Sequence, residues 1–301
     1  MTNGRRSSLE NAAERVKRYR NSYRNFISVM LDLYMKKETI RVVFNDASEE
    51  DVSRNFAWMY PLVLRSNGYS DDKEIRALLK KETIRWMGKN VVMHGMWNNG
   101  DVEAAFFRGD YGSLQVAGEV VIDIGANIGD SSIYFTLNGA KRVIALEPYP
   151  HSYSIARRNV DENGLSDSII LLNAGYGLSG TVTVDEDLVV NGSTKLSSTA
   201  RGKTIPLLDL EDILNNYGIQ SGVLKMDCEG CEYYLAEEND DVFKRLKSVQ
   251  LEYHSGYLDL KKKLEGAGMM VSQTKLKRPL QVGRGDIREE GETGYLYAWW
   301  Q

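Results

Sequence analysis

Two short runs in this 301-residue chain carry residue types that do chemistry when folding brings them together. One is Lys225-Met226-Asp227-Cys228-Glu229-Gly230-Cys231-Glu232, where four residues, Asp227 to Gly230, hold two acids and Glu232 adds a third. Carboxylates at the end of an apolar strand are costly unless cations, hydrogen bonds or protons satisfy them. Asp227 or Glu229 can orient an acceptor group or take its proton, and His254 offers a base of another type. The second run extends from Val120 to Ser132. There Asp123 sits at the carboxyl end of a short apolar stretch, just before a break at Gly125, the pattern of a buried strand entering a glycine turn.

Charge separates the cofactors such a turn takes. A dinucleotide fingerprint, G-x-G-x-x-G, needs glycine at its second and third places for pyrophosphate approach and helix packing. Asn127 and Asp130 occupy those places here. A pyrophosphate would also meet the Asp123 carboxylate in a low-dielectric crevice, like charge against like. S-adenosylmethionine, with an ammonium, a sulfonium and no phosphate, suits that corner better. A second apolar stretch, Arg142 to Leu146, ends at Glu147, about twenty residues after the first glycine, where an acid meets ribose hydroxyls. An NAD enzyme or a noncatalytic Rossmann-like module shares the ribose acid, so Asp123 and the absent glycines make the distinction. No P-loop and no Ser/His/Asp signature appears.

Taken together, the residues resemble a class I S-adenosylmethionine-dependent methyltransferase of the FkbM type. The likeness rests on Val121 to Asp130, on Ala145-Leu146-Glu147-Pro148 and on Lys225 to Glu232, and spans roughly Tyr111 to Trp300. It implies an α/β fold: a Rossmann-like seven-stranded sheet with helices on both faces and an antiparallel last strand. It implies a cofactor site of Tyr111, Asp123, Gly125, Ala126, Asn127, Gly129, Asp130, Ser131, Glu147, Pro148, Asn173, Ala174 and Asp227. It further implies O-methylation of a hydroxyl on a sugar, lipid-linked glycan or small metabolite, with Asp227 near the methyl, Glu229 near the acceptor and His254 as a further base. Without an Asn-Pro-Pro-Tyr-like tetrapeptide after the fourth strand, amino-group methylation of DNA bases is disfavoured. An RNA methyltransferase is the alternative.

These groups need elements to position them. From Glu119 onward strand and helix patterns alternate, the mark of a parallel sheet. A helix is expected from Pro150 to Asn163, with proline in its first turn, and strands over 168–173, 222–226 and 249–253. Helices are expected over 207–217, 241–246 and 258–267, and two last strands over 268–275 and 294–299. Between Gly177 and Lys203 the alternation breaks. Thr181 to Val184 alternates with period two and Asn191-Gly192 reads as a hairpin turn, so the segment is either an exposed hairpin or a substrate lid. Residues 1–110 form a separate, mainly helical region, and 111–301 the methyltransferase domain. Helices are expected from Ser8 to Tyr34, Ser53 to Leu64 and Asp72 to Trp86, the last capped by Ser70 or Asp71, and a short strand over 90–96.

Composition sets the remaining bounds. Net charge is −4, so no overall basic excess advertises nucleic acid as a partner. The first helix does carry a basic face (Arg15, Lys17, Arg18, Arg20, Arg24). With no long apolar span and no signal-like N-terminus, a cytoplasmic location is expected; a homo-oligomer is left open. Cys228 and Cys231, the two cysteines, form a C-x-x-C, but flanking acids oppose thiolate formation. The pair reads as two small, mostly buried side chains. No metal site is expected, because His94, His151 and His254 do not cluster in the sequence.

Overall fold

Val120–Ile124 forms β1 because β-branched residues fill four of its five positions, and the one acid, Asp123, is matched by the neighbouring strand. This computed structural model describes residues 8–66, 72–97, 102–188, 194–275 and 293–301. The chain divides into two compact units, Met1–Arg108 and Gly109–Gln301.

In the second unit β1 is followed by α1 (Asp130–Leu137), β2 (Arg142–Leu146), α2 (Pro150–Glu162) and β3 (Ile169–Leu172). Next come β4 (Gly175–Tyr176), β5 (Gly180–Val184), β6 (Lys203–Leu208), α3 (Leu210–Asn216) and β7 (Gly222–Met226). A 3-10 segment (Cys231–Glu237), α4 (Asp240–Phe243), β8 (Leu246–Tyr253), α5 (Leu258–Gly266), β9 (Met270–Lys275) and β10 (Gly294–Trp299) complete it. Seven strands make one sheet in the order β9-β10-β8-β7-β1-β2-β3. Here β10 runs antiparallel to both neighbours, while β8, β7, β1, β2 and β3 are mutually parallel. The expected seven-stranded α/β sheet with an antiparallel last strand is what the chain forms. Strand order reverses between β1 and β7, so their carboxyl ends flank a crevice. Ile122, Ile144, Leu224, Leu251 and Leu296 build the core beneath it.

Two expectations in this unit are corrected. The helix expected over 207–217 begins only at Leu210, because Lys203–Leu208 pairs as β6, antiparallel to β5 and parallel to β4. Asp209 caps α3 by accepting from Asp212 N at 2.7 Å. The helix expected over 241–246 is the single turn α4, since β8 starts at Leu246.

The first unit packs helices Ser8–Arg20, Phe26–Tyr34, Arg54–Ser66 and Asp72–Leu79 with two hairpins, Thr39–Val43/Glu49–Ser53 and Thr83–Trp86/Lys89–Val92. Tyr23, Phe44 and Tyr60 are its buried aromatic centre. The helix expected from Ser8 to Tyr34 is broken after Arg20. Asn25 instead bonds the first hairpin through Arg41 O and Val43 N, a use of its amide that helical spacing does not reveal. The helix expected to reach Trp86 stops at Leu79, and Glu82, at φ +50°, turns the chain into the strand Thr83–Trp86. The hairpin turn at Asn191-Gly192, the caps Ser70 and Asp71 and the connection 279–292 lie outside the described residues.

Candidate active site

Where β1 ends, Asp123 is fully buried. Its Oδ2 accepts from Ser131 Oγ at 2.7 Å and Ser132 Oγ at 2.5 Å. Its Oδ1 lies 2.9 Å from Lys225 Nζ, an ion pair inside the sheet. The register places Lys225 of β7 directly opposite Asp123, and Lys225 Nζ also donates to Gly125 O at 2.8 Å. Burial alone would pull the lysine down, but the Asp123 and Asp227 carboxylates outweigh it and hold it above its ordinary value. This corrects the electrostatic expectation drawn from the sequence. Asp123 faces Lys225 of the neighbouring strand, and its charge is spent within the protein.

The glycine turn itself allows close backbone approach. Gly125 has φ +79°, and a Cβ there would fall 1.9 Å from the Asp227 carbonyl oxygen, so only glycine fits. Asp130 is buried in the first turn of α1, where the helix N-terminus favours an acid. After β2, Glu147 accepts from Tyr149 N through Oε1 and from Asn127 N through Oε2, each at 2.9 Å. Burial pushes its carboxyl up to about 8, against the pull of those two N–H groups.

Two other expected cofactor residues are engaged within the protein. Asn173 donates to Glu147 O and Pro148 O and accepts from Lys203 Nζ, so its amide braces the ends of β2 and β3. Tyr111 is buried against Phe135, with Lys225 Nζ 5.6 Å from its ring centroid. Pro148, Ala174, Gly125, Leu196 and both cysteines line a cavity of about 20 Å³. That is room for about one water. A ring system needs more room than this, and Leu196 is one of the side chains that bound the cavity.

The acids after β7 converge on His254, which follows β8 directly. Its Nδ1 lies 2.9 Å from Glu232 Oε1, and its Nε2 lies 3.3 Å from Glu229 Oε1 and 3.9 Å from both Asp227 Oδ1 and Glu252 Oε1. Burial lowers its basicity, but the bonds to Glu229 and Glu232 overcome that and push it up to about 10. His254 is therefore a cationic partner for the acids that gather after β7. Glu229 has φ +55°, which turns it toward that imidazole. The cysteine reading is also corrected: Cys228 and Cys231 form a disulfide that closes the turn holding Glu229 and Gly230. Sequence reasoning passed over Lys225 as a functional group and missed Glu252. The signal for Glu252 was its i, i+2 relation to His254, which places both on one face of a strand.

The switch-point crevice, the glycine turn and the acid after β2 define a class I methyltransferase domain. Residues 123–260 match the family model described as the Methyltransferase FkbM domain. A 77-residue stretch is 40% identical to ribosomal protein L11 methyltransferase of Syntrophomonas wolfei. It covers 26% of this chain and 25% of that protein, so the chain matches about a quarter of that relative's length. Precorrin-6y C5,15-methyltransferase from Geobacter metallireducens is similar over 63% of this chain and 83% of its own, at 18% identity and TM-score 0.36. TrmK of M. capricolum, solved with S-adenosyl-homocysteine, is similar over 64% of this chain and 67% of its own, at 11% identity and TM-score 0.40.

Proposed function

We propose that the chain is an S-adenosylmethionine-dependent O-methyltransferase acting on a hydroxyl of a sugar, lipid-linked glycan or small metabolite. The observation that carries this reading is the FkbM-domain match over residues 123–260, which includes both the glycine turn and the Asp227–Glu232 acids. The residues present fit the cofactor. Gly125 lets the turn pack against the Asp227 backbone at the mouth of the crevice, and Glu147 sits after β2 with a carboxyl for the ribose hydroxyls. Asp227 ends the crevice after β7 with its side chain 24% exposed.

When bound, the cofactor supplies an already activated methyl group. The chain's own residues supply position and a proton acceptor. Glu229, held against His254 and 17% exposed, is the carboxylate that takes the proton of the acceptor hydroxyl. His254, 2.9 Å from Glu232 and 3.3 Å from Glu229, anchors both and keeps the turn in place. Calorimetric titration with S-adenosylhomocysteine and with NAD tests the reading. Binding of the former and not the latter is expected, and uptake of NAD alone would overturn it.

A further inference from the structure

We propose that Asp227, Glu252 and His254 form a binding site for one divalent metal ion, whose open positions take hydroxyl oxygens of the methyl acceptor. The inference deepens the methyltransferase reading and rests on it for the identity of those oxygens.

The three donors come from the carboxyl ends of adjacent parallel strands. Asp227 follows β7, Glu252 lies in β8 and His254 follows β8. One ligating atom from each lies within 4.8 Å of the other two. His254 Nε2 is 3.9 Å from Asp227 Oδ1 and 3.9 Å from Glu252 Oε1. An ion with ligands at about 2.1 Å sets cis donors about 3 Å apart and trans donors about 4 Å apart. Sharing an ion therefore asks for side-chain adjustments of about 1 Å or less.

A second observation concerns the far side of the imidazole. Glu232 is fully buried. Its Oε1 accepts from His254 N at 3.1 Å and its Oε2 from Gly230 N at 2.7 Å. Its Oε1 also lies 2.9 Å from His254 Nδ1. That contact fixes the ring from its far side, as the outer carboxylate does in carboxylate–histidine–metal arrangements, and leaves Nε2 facing Glu229 at 3.3 Å and Asp227 and Glu252 at 3.9 Å. Side chains of Asp227 and Glu252 are 24% and 16% exposed, so solvent and substrate reach the ion.

One imidazole and two carboxylates, with no thiolate available because both cysteines are in the disulfide, suit ions of the Mg²⁺–Mn²⁺–Zn²⁺ range. The ion exchanges for the Nε2 proton, which leaves to solvent. An ion held there would acidify a bound hydroxyl oxygen; its proton would pass to Glu229, and the oxygen's electron pair would form the C–O bond while the methyl–sulfur bond of the sulfonium breaks and leaves its pair on sulfur. Two neighbouring hydroxyls on one acceptor, as in a sugar diol, fill two open positions at once.

The test is a titration of the full-length protein with Mn²⁺ alone, followed by the electron paramagnetic resonance signal of free Mn²⁺. S-adenosylhomocysteine binding is measured on the same preparations. One Mn²⁺ per chain is expected, with affinity reduced tenfold or more in Glu252→Gln and in His254→Gln, and with S-adenosylhomocysteine affinity retained in Glu252→Gln. If His254→Gln does not fold, Glu252→Gln decides. Absence of a stoichiometric site, or wild-type Mn²⁺ affinity in Glu252→Gln, overturns the proposal. S-adenosylhomocysteine bound without Mn²⁺ sinks the ion site and spares the cofactor reading; Mn²⁺ bound at these residues without S-adenosylhomocysteine does the reverse.

Discussion

Lys225 is the residue on which the crevice depends electrostatically. It neutralises Asp123 where no water reaches either group. Removing one partner of a buried ion pair leaves an uncompensated charge, at a cost of about 3–5 kcal/mol. Lys225→Met is expected to lose that much in urea denaturation, and Asp123→Asn with Lys225→Met together much less. Glu147 makes a second, pH-dependent prediction. Its carboxyl is raised from 4.5 to about 8 in the folded protein. Between those values the native state holds a proton that the unfolded state has released, so stability falls as pH rises through that window. Thermal melts from pH 6 to 9 should show a steeper decline for wild type than for Glu147→Gln. Equal slopes would show that Glu147 is ionised throughout.

At the scale of elements, the sheet was legible because parallel strands buried on both faces read as apolar runs. β1, β2 and β7 fall where Val120–Ile124, Arg142–Leu146 and Gly222–Met226 were expected to pair. What was not legible depends on partners distant in sequence. β6 contains a proline and reads as the approach to a helix, yet it pairs with β5 some twenty residues earlier. The His254 cluster draws its members from two stretches about twenty residues apart, 227–232 and 252–254, so the sparse histidines concealed it. The disulfide was misjudged because the flanking acids speak against a thiolate, not against a closed bridge. Residues 194–202 carry their own prediction. Leu196 approaches Gly175 and lines the small cavity beside Pro148 and Ala174. A half-buried leucine there contributes about 1 kcal/mol that an entering adenine must overcome. Leu196→Ala is therefore expected to tighten S-adenosylhomocysteine binding about fivefold in calorimetry, and unchanged or weaker binding would mean that Leu196 does not obstruct the ligand.

For the whole molecule, charge separates the two acceptor classes. The chain carries 38 basic against 42 acidic residues, and the acids gathered around His254 repel a phosphate backbone from the place where chemistry is proposed. Basic side chains on Ser8–Arg20, among them exposed Arg15, Lys17 and Arg20, are the one local feature singled out as favouring RNA. A protein that neutralises six to ten phosphates loses about 10³–10⁵ in affinity between 50 and 200 mM salt. A neutral sugar or metabolite hydroxyl releases no counterions, and its apparent affinity should change less than about threefold over that range. Measured by fluorescence anisotropy, single-stranded RNA is expected to bind weakly at 50 mM salt, with no steep linear fall in log affinity. A slope equivalent to six or more phosphates, lost on charge reversal of Lys17 and Arg20, would move the acceptor from a glycan or metabolite to RNA while leaving the cofactor site as described.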